Sequence, residues 1–168
     1  VDIKPTDKVI IVGTSGGSTY AMSNDQGTEK APAAVAVAVA DNKIATNETN
    51  ILWNIAKNGD NLTIYPADQT AKWLYCTGTN NGTRVGTNAD KTFILDATSG
   101  YLKHTGTSRY LGIYSGQEWR CYTSYTTDNI KDQSFAFYVL PNTDPSISVT
   151  PASRDFGAVI VGNTVTQE

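Results

Sequence analysis

Apolar and polar residues alternate along the chain in short runs, each bounded by Gly, Asn, Asp, Ser or Thr, from about residue 8 to residue 140. A period of two marks strands with one buried face. In "FILDA" the alternation puts Phe93 and Leu95 on one face, and in "FAFYVL" it does the same for Phe135, Phe137 and Val139. Twelve strands are predicted in this way: "KVIIVG" (8–13), "TYAMS" (19–23), a segment within "AVAVAVADNKIA" (34–45) and "ILWNIAK" (51–57); "NLTIY" (61–65), "KWLYC" (72–76), "TRVGT" (83–87) and "KTFILDA" (91–97); "GYLKH" (100–104), "RYLGI" (109–113), "EWRCYTS" (118–124) and "SFAFYVL" (134–140).

These strands fall into three units of four. The stretch "SGYLKHTGTSRYLGIY" (99–114) is a worn copy of "GDNLTIYPADQTAKWLYC" (59–76): a small-residue turn, a short strand, a polar link with Thr, then a basic residue followed by an aromatic and Leu. An aromatic near the start of each fourth strand recurs at Trp53, Phe93 and Phe135, and Tyr20, Trp73 and Tyr110 occupy a second equivalent position. One unit alone would leave its apolar face wet, so three must close on one another. The expected fold is all-β, a β-trefoil of three four-strand repeats over residues 7–140. Leu74 and Leu111 are expected in its core.

Residues 7–140 resemble the β-trefoils of the broad ricin-type, fascin-like or cytokine-like group, which implies a six-strand barrel capped by three hairpins. The fourth-strand aromatics stand where ricin-type lectins carry the Trp of a Q-x-W motif. Here "ILW" lacks the Gln, "KTF" lacks both residues, and only "QSF" (133–135) keeps the Gln. The resemblance therefore supports the fold more than membership of the lectin family.

The first unit departs most, with a long stretch at 24–50. Its Ala-Val run is read as a strand, because no cap and no 3.6-residue period is present. "PNTDP" (141–145) is a linker by composition. The remaining segment, "SISVTPASRDFGAVIVGNTVTQE" (146–168), is similar to the opening of bacterial immunoglobulin-like domains, which implies a severed β-sandwich fragment. A trefoil followed by such a domain resembles exported multidomain proteins of the Bacteroidetes kind, located outside the cell or on its surface. An unpaired pair of tail strands would seek a partner edge, so a dimer through the tail is expected. The opening "VDIKPTDK" has neither an initiator Met nor a signal sequence, as in a processed or trimmed chain.

Composition narrows the partners. The 168 residues are 39% hydrophobic, with no apolar run near the roughly 20 residues of a membrane helix, so no membrane insertion is expected. Net charge is -3 and the Lys and Arg residues are scattered, which argues against nucleic acid. Cys76 and Cys121 would close a long loop if bridged, but strand thiols are more often simply buried.

The chemistry is sparse. His104 is the single histidine, no nucleophile elbow accompanies it, and neither metal-ligand spacing nor any cofactor motif is present, so no enzymatic activity is expected. Asp90, Asp96, Asp128 and Asp132 sit near turns, where Asx hydrogen bonding accounts for them. "GTSGGST" (13–19) leads from strand to strand and is a hairpin turn rather than a phosphate cradle. Three glycosylation-type sequons, at Asn47, Asn61 and Asn81, arise readily by chance in an Asn- and Thr-rich chain and would stay unused in a bacterium.

The segment "YSGQEWRCYTSYTTDN" (114–129) is the candidate site. Aromatic rings beside Gln, Asn and Arg suit a sugar, whose apolar face stacks on a ring while amides and charges read its hydroxyls. Tyr114, Trp119, Arg120, Tyr122 and Tyr125 are the candidate ligand-binding residues, with Trp119 and Cys121 on one strand face and Arg120 and Tyr122 on the other. The competing reading packs the same rings into the barrel and its cap, and Trp73 and Tyr110 share the ambiguity. Two functions follow: a non-catalytic carbohydrate-binding module, or a structural or protein-interaction module that engages a neighbouring domain.

Overall fold

A computed structural model describes residues 3–140, which form twelve strands and no helix. The linker, the immunoglobulin-like fragment and the tail-mediated dimer expected at 141–168 lie outside the described residues. In the first unit the strands are β1 (Val9–Ser15), β2 (Ser18–Met22), β3 (Ala34–Ala36) and β4 (Leu52–Asn58). In the second they are β5 (Asn61–Pro66), β6 (Trp73–Cys76), β7 (Thr83–Gly86) and β8 (Thr92–Leu95). In the third they are β9 (Leu102–His104), β10 (Arg109–Tyr114), β11 (Glu118–Tyr122) and β12 (Ser134–Val139). Each coincides with a predicted segment to within a few residues at its ends, except that β3 is only the first part of the Ala-Val run.

Six strands pair antiparallel in the order β12-β1-β4-β5-β8-β9. The other six form hairpins, β2 with β3, β6 with β7 and β10 with β11. Corresponding positions in the three units have corresponding environments. Tyr20, Trp73 and Tyr110 are all half-buried, and the next residues, Ala21, Leu74 and Leu111, are all buried. Gly59 and Gly100 open β5 and β9 with φ of 60° and 75°, a left-handed backbone that glycine adopts without the Cβ penalty.

One core runs through all three units, joining Val9 and Ile11 of β1, Trp53 of β4, Leu74 of β6, Phe93 of β8, Leu111 and Ile113 of β10, and Trp119 of β11. The two buried indoles satisfy their N–H groups on neighbouring carbonyls. Trp53 Nε1 donates to Met22 O at 3.0 Å, and Trp119 Nε1 to Ala21 O at 3.3 Å. Phe135 packs against Trp119 with ring centroids 5.7 Å apart.

The long first-unit stretch builds a second core. β1 is apolar on consecutive residues, and while Val9 and Ile11 face the main core, Ile10 and Val12 face the other way. They are covered there by Ala21, Ile44, Ile51 and Leu52, with Val35 and Val37 packed against them. A continuous apolar run is what burial on both faces requires. The Ala-Val alternation thus sends two valines inward, while Val39 is exposed.

Leu95 departs from the expected pattern. It does not share the burial of Phe93: half of its surface is exposed, because β8 ends there and the chain turns into the Asp96–Ser99 loop, where Asp96 accepts from Ser99 N at 3.0 Å and Ser99 Oγ at 2.6 Å. His104 is fully buried. Thr107 N donates to its Nδ1 at 3.2 Å and Nε2 lies 3.1 Å from Asp90 O, so the ring is neutral with its proton on Nε2.

Candidate functional site

The residues at 114–129 divide between interior and surface. The register Ile113↔Trp119 and Leu111↔Cys121 turns Trp119 inward, and the core leaves it no exposed area. Tyr122 is 4% exposed and packs with Tyr101 and Ile130 in a third apolar cluster, where burial raises the pKa of its hydroxyl against the opposing pull of Arg120. The expectation that Trp119 and Tyr122 form part of an open sugar site is therefore corrected: neither ring presents a face to solvent. The physical cause is size, since a large aromatic gains more from the core than from half-exposure.

Tyr114 and Arg120 are brought together, but with each other. The guanidinium carbon of Arg120 lies 3.8 Å from the centroid of the Tyr114 ring, and Arg120 Nε donates to Glu118 Oε1 at 2.6 Å. With Arg120 Nη2 also 2.5 Å from Glu118 Oε1, this arrangement occupies one face of Tyr114 and two of the donors that would read a hydroxyl.

Tyr125 lies in the loop after β11, half-buried against Tyr101 at 5.7 Å and Tyr110 at 5.2 Å. Beside it is a pocket of about 370 Å³, lined by Thr98, Ser99, Tyr101, Tyr125, Thr126, Lys131, Asp132 and Gln133. Tyr101 anchors the floor by donating to Ile130 O and accepting from Gln133 N at 3.0 Å, and burial raises its pKa. Asp132 is held at φ 62°, a backbone conformation that Asp tolerates better than most residues. The pocket therefore combines one aromatic wall with hydroxyls, an ammonium and a carboxylate.

Of the five predicted residues, Tyr125 alone lines this pocket. Thr98, Ser99 and Tyr101 come from the β8–β9 connection and the rest from the loop between β11 and β12, so two loops distant in sequence assemble it. The signal that could have found it was Asp132 next to the single retained Gln of the degraded motif. Among the described residues, no group of three or more His, Cys, Asp and Glu side chains could hold a metal ion.

No protein-family model matches the chain, and no curated protein sequence matches it. Solved structures do. A lectin from Polyporus squamosus, bound in its crystal to a human-type influenza-binding epitope, superposes with a TM-score of 0.53 at 16% identity, over 80% of this chain and 50% of the lectin. The chain thus spans half the length of that lectin. The SDF2-like protein of Arabidopsis thaliana superposes with a TM-score of 0.51 at 18% identity, over 86% of this chain and 100% of its own. At these identities the likeness is one of fold.

Proposed function

We propose that residues 7–140 form a β-trefoil of three four-strand repeats that acts as a non-catalytic carbohydrate-binding module, with its site in the Tyr125 pocket of the third unit. The single observation that carries this is the pocket beside Tyr125, where a half-exposed ring stands next to Thr98, Ser99, Thr126, Lys131 and Asp132. A pyranose has an apolar face for the ring and hydroxyls for the polar rim. The fold shared with a lectin adds support. A setting in an exported bacterial multidomain protein belongs to the same reading, on the resemblance of residues 146–168.

The test is a glycan-array screen of the full chain beside Tyr125→Ala and Asp132→Ala, each checked for an unchanged melting transition. Binding weakened about tenfold or more in both folded variants supports the site. No glycan bound by the wild-type chain, or binding indifferent to both substitutions, overturns it.

A protein-interaction module is the second reading, and a specific observation favours it. A cavity of about 600 Å³ opens between the β4–β5 and β8–β9 turns, lined by Ile3, Ile55, Leu62, Phe137 and the exposed Leu95. Leu95→Asp would abolish binding to a neighbouring domain and leave glycan binding intact.

A further inference from the structure

Cys76 ends β6 and Cys121 lies on β11, so the two thiols belong to hairpins of different units. Both are free and buried. Thr83, paired with Cys76 across the β6–β7 ladder, has a buried hydroxyl without a hydrogen-bond partner. Cys121 Sγ donates to Thr79 O at 3.4 Å and lies 4.0 Å from Thr77 O, the carbonyl next in sequence to Cys76. The loop 77–82 thus folds over Cys121, whose own N–H donates to Asn80 O at 3.0 Å. Arg109 fastens that loop: Nη1 donates to Asn80 Oδ1 at 2.7 Å and to Cys121 O at 3.2 Å, and Nη2 donates to Gly78 O.

We propose that Cys76 and Cys121 are a disulfide-forming pair that locks the β6–β7 hairpin of the second unit to β11 of the third when the protein meets a low-molecular-weight disulfide such as glutathione disulfide. A structural role alone would be served by two small apolar residues, whereas these two thiols belong to one buried cluster in which the carbonyl following Cys76 lies 4.0 Å from Cys121 Sγ. Their inequivalence suits the exchange. The hydrogen bond with Cys76 lowers the Cys121 pKa to about 7 against the effect of burial, while burial pushes the Cys76 thiol up. Cys121, which lies directly beneath the loop 77–82, is the sulfur uncovered when that loop opens, and its thiolate is the attacking sulfur once its proton has left the Thr79 carbonyl.

The chemistry balances as two exchanges. The Cys121 thiolate attacks one sulfur of glutathione disulfide, that S–S bond breaks, and glutathione thiolate leaves. Cys76 then loses its proton and its sulfur attacks the Cys121 sulfur, expelling the second glutathione thiolate. The protein loses two electrons and two protons, and one small disulfide becomes two thiols. Entry requires the loop 77–82 to swing out, a local opening of a segment whose residues 78–81 are exposed. The bond closes a loop of roughly 45 residues, long enough to restrict the unfolded chain substantially.

The test incubates the full chain in glutathione redox buffer with sub-denaturing urea, alongside Cys76→Ser and Cys121→Ser, then alkylates the remaining thiols and measures intact mass. The expected wild-type product is monomeric, lighter by two hydrogens and unalkylated, and melts on the order of 10 °C above the reduced chain. Cys76→Ser is expected to take up one glutathione at Cys121, and Cys121→Ser to take it up far more slowly at the buried Cys76. Glutathione adducts on both wild-type cysteines, or chains crosslinked to one another, would overturn the proposal. Two alkylated wild-type thiols would overturn it whatever the single variants do.

Discussion

Gln133 holds the backbone of Ile113 with both ends of its amide. Its Oε1 accepts from Ile113 N at 2.8 Å, and its Nε2 donates to Ile113 O at 2.7 Å and lies 3.2 Å from Ser15 Oγ. The side chain just before β12 thus supplies the pairing that a neighbouring strand would otherwise give near the C-terminal end of β10. Of the Q-x-W pattern, the third unit keeps the residue that satisfies a buried peptide group, and Phe135 fills the aromatic place against Trp119 and Tyr101.

Gln133→Ala leaves the N–H and C=O of buried Ile113 without partners. Orphaned buried groups cost about 1–3 kcal/mol each, moderated where water can enter, so a loss on the order of 2 kcal/mol is expected. Urea unfolding measures it, and an unchanged midpoint would show that the bridge contributes nothing net.

Gly13→Ala tests close packing at the centre of β1. A Cβ there would meet Ile113 Cδ1 at 2.6 Å, Phe135 Cε1 at 2.9 Å and Trp119 Cη2 at 3.0 Å. Overpacking of this kind costs about 1–3 kcal/mol. Thermal melting of the variant should show that loss, whereas Gly17→Ala, with open space around the added methyl, should show only the smaller strain of its φ of 80°.

Trp119→Ala and Tyr125→Ala should separate core from surface. Removing the fully buried indole costs about 3–5 kcal/mol and strands the Ala21 carbonyl it serves. Tyr125→Ala should keep most of the stability and lose the glycan binding proposed above. A folded, stable Trp119→Ala chain would contradict the packing described here.

His104 gives the fold an acid-sensitive point. Burial lowers its pKa below 6.5, and a proton on Nδ1 would oppose the Thr107 N–H that already donates there. The unfolded chain then binds more protons than the folded one. The stability held above about pH 6.5 therefore declines as pH falls through the lowered folded pKa. Comparing urea midpoints at pH 7.5 and 5.5 checks this, and His104→Gln should flatten that part of the profile.

Arg109→Ala should free the loop 77–82. Amide exchange at Cys121, whose N–H is bonded to Asn80 O, is expected to accelerate at least several-fold, while the β1–β12 ladder stays protected. Uniform acceleration would mean that the substitution lowers global stability instead.

Alternating residues and turn chemistry were enough to place all twelve strands, because strand period and glycine-dependent turns are local properties of the chain. The sequence also singled out Leu74, Leu111 and the retained Gln133. It could not assign the rings at 114–125, since an aromatic is equally at home in a core and beside a sugar. That choice depends on which face β10 and β11 turn toward Trp53 and Phe135, and only the packing of the three units sends Trp119 and Tyr122 inward. Leu95 shows the same limit, as a residue patterned for burial at a point where no neighbour arrives to cover it. The pocket beside Tyr125 draws on turns about 30 residues apart, and the Cys76–Cys121 pair on two hairpins. Both exist through long-range contacts, which no local period encodes.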